Sequence, residues 1–149
     1  MPHFTLQISP QGPLLNAVIH VSKERNSALT AAGQPIPNPV TIRALVDTGA
    51  STTCIDPSIL KALSLTPTGN VKMVTPSTGK TPVDIDQYDV GIVIPAAIAN
   101  QIPFALQTIP VACTELVSSQ GFHALIGRDI LSHCLLNYNG SMGMFTLAF

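Results

Sequence analysis

Ala44-Leu45-Val46-Asp47-Thr48-Gly49-Ala50-Ser51-Thr52 is the stretch on which the reading of this chain turns. An apolar run ends on an acid, then a hydroxyl residue, then a glycine. Local backbone chemistry alone can account for that order. The Asp47 side chain can bond to its own backbone two residues on, and Gly49 can supply a φ angle that other residues avoid. On that reading the triplet is a strand-ending turn with no chemistry attached.

Working outward, Val40 to Val46 reads as the strand that delivers the chain to Asp47. Upstream, Lys23 to Pro39 is polar, Ala-rich and Pro-rich and reads as a long surface loop, since Pro35, Pro37 and Pro39 cannot donate to a central ladder. Leu14 to Val21 alternates and reads as a strand, as does Phe4 to Ile8. Downstream, Asp56 and Pro57 suit the cap and first position of a short helix, with Ile59, Leu60 and Leu63 as its apolar face. Val71 to Val74 and Val83 to Ile94 read as strands joined by a turn-rich segment, Thr75 to Pro82. Phe104 to Val111, Ala124 to Ile126 and Met142 to Phe149 complete the strands, and Gly127 to Cys134 reads as a short helix. The 13 prolines and 10 glycines are spread rather than clustered, the punctuation of an all-β sandwich or barrel.

Composition bounds the function. A chain of 149 residues fits one domain, 1–149, and the 46% hydrophobic content is enough to build a core. Seven basic residues against eight acidic ones, with no Lys/Arg cluster and no Trp, leave no nucleic-acid footprint. No apolar run reaches the roughly 18–20 residues of a membrane span, and Met1 to Pro10 does not read as a signal peptide, so no membrane partner and a cytoplasmic location are expected. The three cysteines, Cys54, Cys113 and Cys134, are odd in number and widely spaced, which fits small buried hydrophobes in a reducing compartment. Charged residues make up only 10%, a surplus of apolar surface that suggests burial against a second chain.

A second segment changes the weight of the first. Leu125-Ile126-Gly127-Arg128-Asp129-Ile130-Leu131 places a short apolar strand before a glycine and a helix. Together with Val46-Asp47-Thr48-Gly49-Ala50, in this order and at this distance, it resembles the retropepsin-like aspartic proteases. There an Asp-Thr-Gly-Ala loop sits beside an apolar-apolar-Gly-Arg-(Asp/Asn)-(Ile/Leu)-Leu segment. The resemblance runs from about Leu14 to Phe149, with Lys23–Pro39 as a surface-loop insertion. It implies a partly closed all-β barrel with one or two short helices. It also implies a homodimer that cuts an extended polypeptide, with Asp47 as the catalytic residue of each subunit.

The rest follows as implication. Two carboxyls sharing one proton serve as acid and base, and this chain carries one Asp-Thr-Gly, so the second must come from a second copy. Thr48 would reach across the axis, Gly49 would present backbone to substrate, and Ala50, lacking a hydroxyl, would favour less acidic working conditions. Leu125, Ile126, Gly127 and Arg128 would support the loop, with Asp129 or Asp56 as the acid facing Arg128. Ser77, Thr78, Gly79 and Lys80 would form the tip of a flap. Ile98, Ile102 and Phe104 could line side-chain pockets. Terminal strands could interleave between subunits. The nucleophile is water, so no cofactor and no metal are implied. The alternative is a peptide- or protein-binding dimer of the same fold that does not cut. Ser58-Ile59-Leu60-Lys61 lacks the companions of a Ser-x-x-Lys nucleophile, and Asn139-Gly140-Ser141 reads as a turn.

Overall fold

The architecture comes from a computed structural model that describes residues 1–74, 79–98 and 100–149. Its centre is β2, Leu14–Val21, in which Leu15, Ala17, Ile19 and Val21 are buried and alternate with more exposed neighbours. That period puts one face of the strand inward, as the sequence pattern requires. It pairs antiparallel with β3, Val40–Val46, which runs parallel to β8, Ala124–Ile126. β8 pairs antiparallel with the two-residue β4, Cys54–Ile55, and β4 runs parallel to β7, Phe104–Cys113. β7 pairs with β6, Val83–Ile94, and β6 returns to β2 through Val90–Val93. Six strands therefore close on themselves, and a closed ring leaves no exposed edge.

One strand reaches three neighbours because it is long. The first half of β6 pairs with β5, Gly69–Met73, and only its second half joins the ring. The turn into the ring is marked by a register shift between Val90 and Ile92. Gly91 lies there, opposite His20, whose imidazole occupies the space a Cβ would need. The barrel is filled by Ile19, Ile42, Ile92, Ile94, Val111 and Ile126, all nearly fully buried.

Outside the barrel, β1, His3–Gln7, pairs with β10, Met144–Ala148, and β10 with β9, Leu135–Asn139. The terminal strands thus pair with each other within the chain. Phe4, Phe145 and Phe149 meet edge-on beneath this sheet.

Four short helices complete the described residues: α1 Lys23–Ala31, α2 Pro57–Ala62, α3 Val117–Gln120 and α4 Arg128–Leu131. The first corrects an expectation. The stretch from Lys23 read as loop, yet its first nine residues are helical. The Ser22 side chain caps the helix by accepting from the Arg25 N–H, and Glu24 sits in the first turn, where a negative charge is favoured. Only Leu29 is buried, so the amphipathic stripe by which a helix is read was missing. None of the helices in the described residues is long and apolar enough to cross a membrane.

Candidate active site

The site is built where β3 runs out. The Val46 N–H donates to the Pro13 carbonyl at 2.9 Å and the Asp47 N–H to the Ile126 carbonyl at 3.0 Å, so the strand is held on both sides up to the acid. The chain then turns tightly. Asp47 Oδ1 accepts from the Gly49 N–H at 2.8 Å, and the Ala50 N–H points back at the Asp47 carbonyl at 3.3 Å. The backbone bond expected of an ordinary turn is therefore present, and it fixes the carboxyl group rather than hiding it. Thr48 and Gly49 are exposed, with Asp47 and Ala50 half-buried beside them. Gly49 is not among the residues with positive φ, so its small size serves close approach and not an unusual dihedral.

The loop is braced from behind by the segment that follows β8. The Arg128 N–H donates to the Ala50 carbonyl at 2.9 Å, and Arg128 Nη1 donates to the Thr48 carbonyl at 3.0 Å. This corrects the expectation of an acidic partner for Arg128. Asp129 turns to Thr53, and Asp56 caps α2 and takes the backbone N–H groups of Leu116 and Val117. Gly127 is extended, and its reason for being glycine is contact. A Cβ there would lie 2.7 Å from the Thr52 carbonyl carbon and 2.9 Å from the Thr53 nitrogen. Two backbones cross at that point with no room between them.

Alternation along β3 and β8 sorts their side chains into two groups. Ala44, Val46, Ala124 and Ile126 enter the main core. Leu45 and Leu125, opposite each other in the β3–β8 register, face the other way. There, with Leu14, they pack with Cys54, Ala112, Leu116 and Phe122, and the Val71, Met73 and Ile85 side chains of the β5–β6 hairpin close over the same apolar surface. Burial pushes the Cys54 thiol up, so it is a neutral, small apolar wall. A second apolar cluster therefore begins at Leu45, two residues before Asp47.

Ile98, Ile102 and Phe104 do not join this second cluster. Ile98 and Ile102 are exposed on the β6–β7 connection, and Phe104 packs against His133 and Phe149. Of the expected flap tip, Ser77 and Thr78 lie outside the described residues. Gly79, at φ +62°, and Lys80 form an exposed turn entering β6. Leu45 is not singled out by the sequence, and Leu125 reads only as support for the loop, because continuous apolar runs conceal which side chains point which way.

A barrel closed in this way, with its acid loop locked against a Gly-Arg-Asp segment, is the retropepsin-like architecture. The model of the aspartyl protease family matches residues 29–130. The chain belongs to that family. A solved retropepsin-like aspartic protease from Rickettsia conorii superposes with a TM-score of 0.59 at 15% identity, covering 99% of this chain and 90% of that one. No curated protein matches the chain significantly.

Proposed function

We propose that residues 1–149 form one protomer of a homodimeric aspartic endopeptidase that hydrolyses an extended polypeptide, with Asp47 as its catalytic residue. The observation that carries this reading is Asp47 itself. It is half-buried, with one oxygen tied to Gly49, on a loop braced at both walls and next to a second apolar cluster. Two such carboxyls facing each other would hold one proton between them. The ionised member takes a proton from water, the resulting hydroxide bonds to the scissile carbonyl carbon, and the protonated member gives its proton to the carbonyl oxygen. Collapse of the tetrahedral adduct returns a hydroxyl proton to the carboxylate that gave its own, and breaks the C–N bond as the amine leaves with the proton that the other carboxyl took from water. Leu45 and Leu125 would receive apolar side chains of the substrate. The β5–β6 hairpin, with Gly79 and Lys80 at its described end, would cover the chain.

The test combines a substitution with a mixing experiment. Asp47→Asn should lower cleavage of a peptide pool at least about a hundredfold. Adding an equal amount of Asp47→Asn protein to wild type should cut activity to about half through random re-pairing, and an excess should cut it further. Cleavage that survives the substitution, or that ignores the added variant, removes the shared-acid dimer. A wild-type protein that binds peptide and never cuts it would be a binding module of the same fold.

A further inference from the structure

We propose that Thr53 and Asp129 form a clasp that positions the Asp47 loop, and that the clasp requires a carboxylate at 129 rather than an amide; this rests on the reading of Asp47 above. Thr53 is fully buried. Its hydroxyl donates to Asp129 Oδ1 at 2.7 Å and accepts the Gly127 N–H at 3.1 Å. Its own N–H donates to Asp129 Oδ2 at 2.8 Å, and Oδ1 takes the Ile130 N–H at 2.9 Å as well.

Both oxygens of Asp129 are therefore acceptors, and the donors that meet them are mostly backbone. An amide has a single acceptor oxygen. In one orientation its NH₂ faces the Thr53 N–H, and in the other it faces the Thr53 hydroxyl and the Ile130 N–H. Neither can be relieved without moving main chain. The family pattern tolerates Asp or Asn at this position; the donor arrangement here accepts only Asp.

The clasp matters because of where it sits. The loop leaves the barrel at Asp47, pinned by Ile126, and is held in its middle by Arg128 through Ala50 and Thr48. Thr53 is its far end, so opening the clasp frees the loop on one side. Catalytic groups misplaced by about 1 Å lose on the order of a hundredfold in rate. Substrate binding would be less affected.

The experiment compares Thr53→Ser, which keeps the hydroxyl and loses a methyl, with Thr53→Val, which keeps the shape and loses the hydroxyl, and with Asp129→Asn. Circular dichroism first establishes folding, and peptide cleavage is measured at a protein concentration that saturates association. Thr53→Ser should keep most of its kcat, while Thr53→Val and Asp129→Asn should each lose about tenfold or more with KM within about twofold. A Thr53→Val enzyme as fast as Thr53→Ser, or an Asp129→Asn enzyme as fast as wild type, overturns the clasp. Failure of both disruptive variants to fold makes the pair a folding element and overturns a positioning role. If wild type itself cuts nothing, the hydrolytic reading fails separately. The clasp is then judged by hydrogen exchange at the Asp47 and Arg128 amides. Faster exchange in Thr53→Val and Asp129→Asn but not in Thr53→Ser upholds it; unchanged exchange overturns it.

Discussion

Substituting Asp56 by Asn gives a stability effect whose size and pH dependence both follow from geometry. Asp56 is buried at the N-cap of α2. Oδ1 accepts the Ser58 N–H at 2.9 Å and the Ser58 hydroxyl at 2.6 Å; Oδ2 accepts the N–H groups of Leu116 at 2.8 Å and Val117 at 2.9 Å. Burial pushes the pKa up, but the hydrogen bonds from Ser58, Val117 and Leu116 outweigh it and hold the group at about 2. The unfolded chain would titrate near the ordinary value of about 3.9, a difference worth between about 2 and 3 kcal/mol. Because the folded pKa is the lower one, this stability is present above about pH 5 and is lost as pH falls from about 4 to about 2. Asn at 56 behaves like a permanently protonated Asp, with one accepting oxygen and one donor aimed at donors. Urea unfolding of wild type and Asp56→Asn at matched protein concentration, from pH 6 to pH 2, should therefore show a gap of about 2 kcal/mol or more that closes toward zero at the acid end. Other carboxylates titrate alike in both proteins and cancel. A gap that stays constant or widens with acid would mean that the Asp56 carboxylate is not what joins α2 to α3.

Two glycines test close packing in different ways. Gly127→Ala should cost about 3 kcal/mol or more in urea unfolding, because the atoms 2.7–2.9 Å from the new Cβ are backbone of Thr52 and Thr53 and cannot step aside. A variant as stable as wild type would show that the two chains do not cross so tightly. Gly91→Ala should cost about 1–3 kcal/mol, because the His20 ring must leave and its 2.8 Å bond from Nδ1 to the Val21 carbonyl is lost. Adding His20→Ala should restore part of the thermal stability, and a double variant no better than Gly91→Ala alone would rule out that steric account.

The strands that were legible in the sequence were those whose burial is one-sided or complete and whose ends carry turn residues. β2, β3, β6 and β8 begin and end where the apolar pattern does. β4 could not be read, because two residues carry no period; Cys54 and Ile55 are a strand only through their neighbours on β7 and β8. β9 was missed for a related reason: in Leu-Leu-Asn-Tyr-Asn no side chain is fully buried, and its asparagines look like a turn. At the site, Asp47 and its glycine were legible as a motif with a companion segment. The partner of Arg128 was not, because the Thr48 carbonyl is a backbone group that every residue possesses. The Thr53–Asp129 pair was hidden by distance along the chain, since nothing local links residues 76 positions apart.

The pairing of the chain ends bears on how two Asp47 loops could meet. β10 is hydrogen-bonded to β1 on one side and β9 on the other, with Phe4 and Phe149 sealing the contact. Exchanging β1 between protomers would break one five-residue ladder to form an identical one, so it adds no hydrogen bonds to the association. On the proposed mechanism, the energy of assembly must come instead from what each folded protomer leaves uncovered. The outer strands of this sheet carry neither charge nor proline, the usual guards of an exposed edge, and Leu6, Leu135 and Tyr138 are exposed on them. Folding and assembly then separate into two events. The barrel, the terminal sheet and the braced loop are formed within one chain, while the proposed acid pair would exist only in two, so dilution should remove activity before it removes structure.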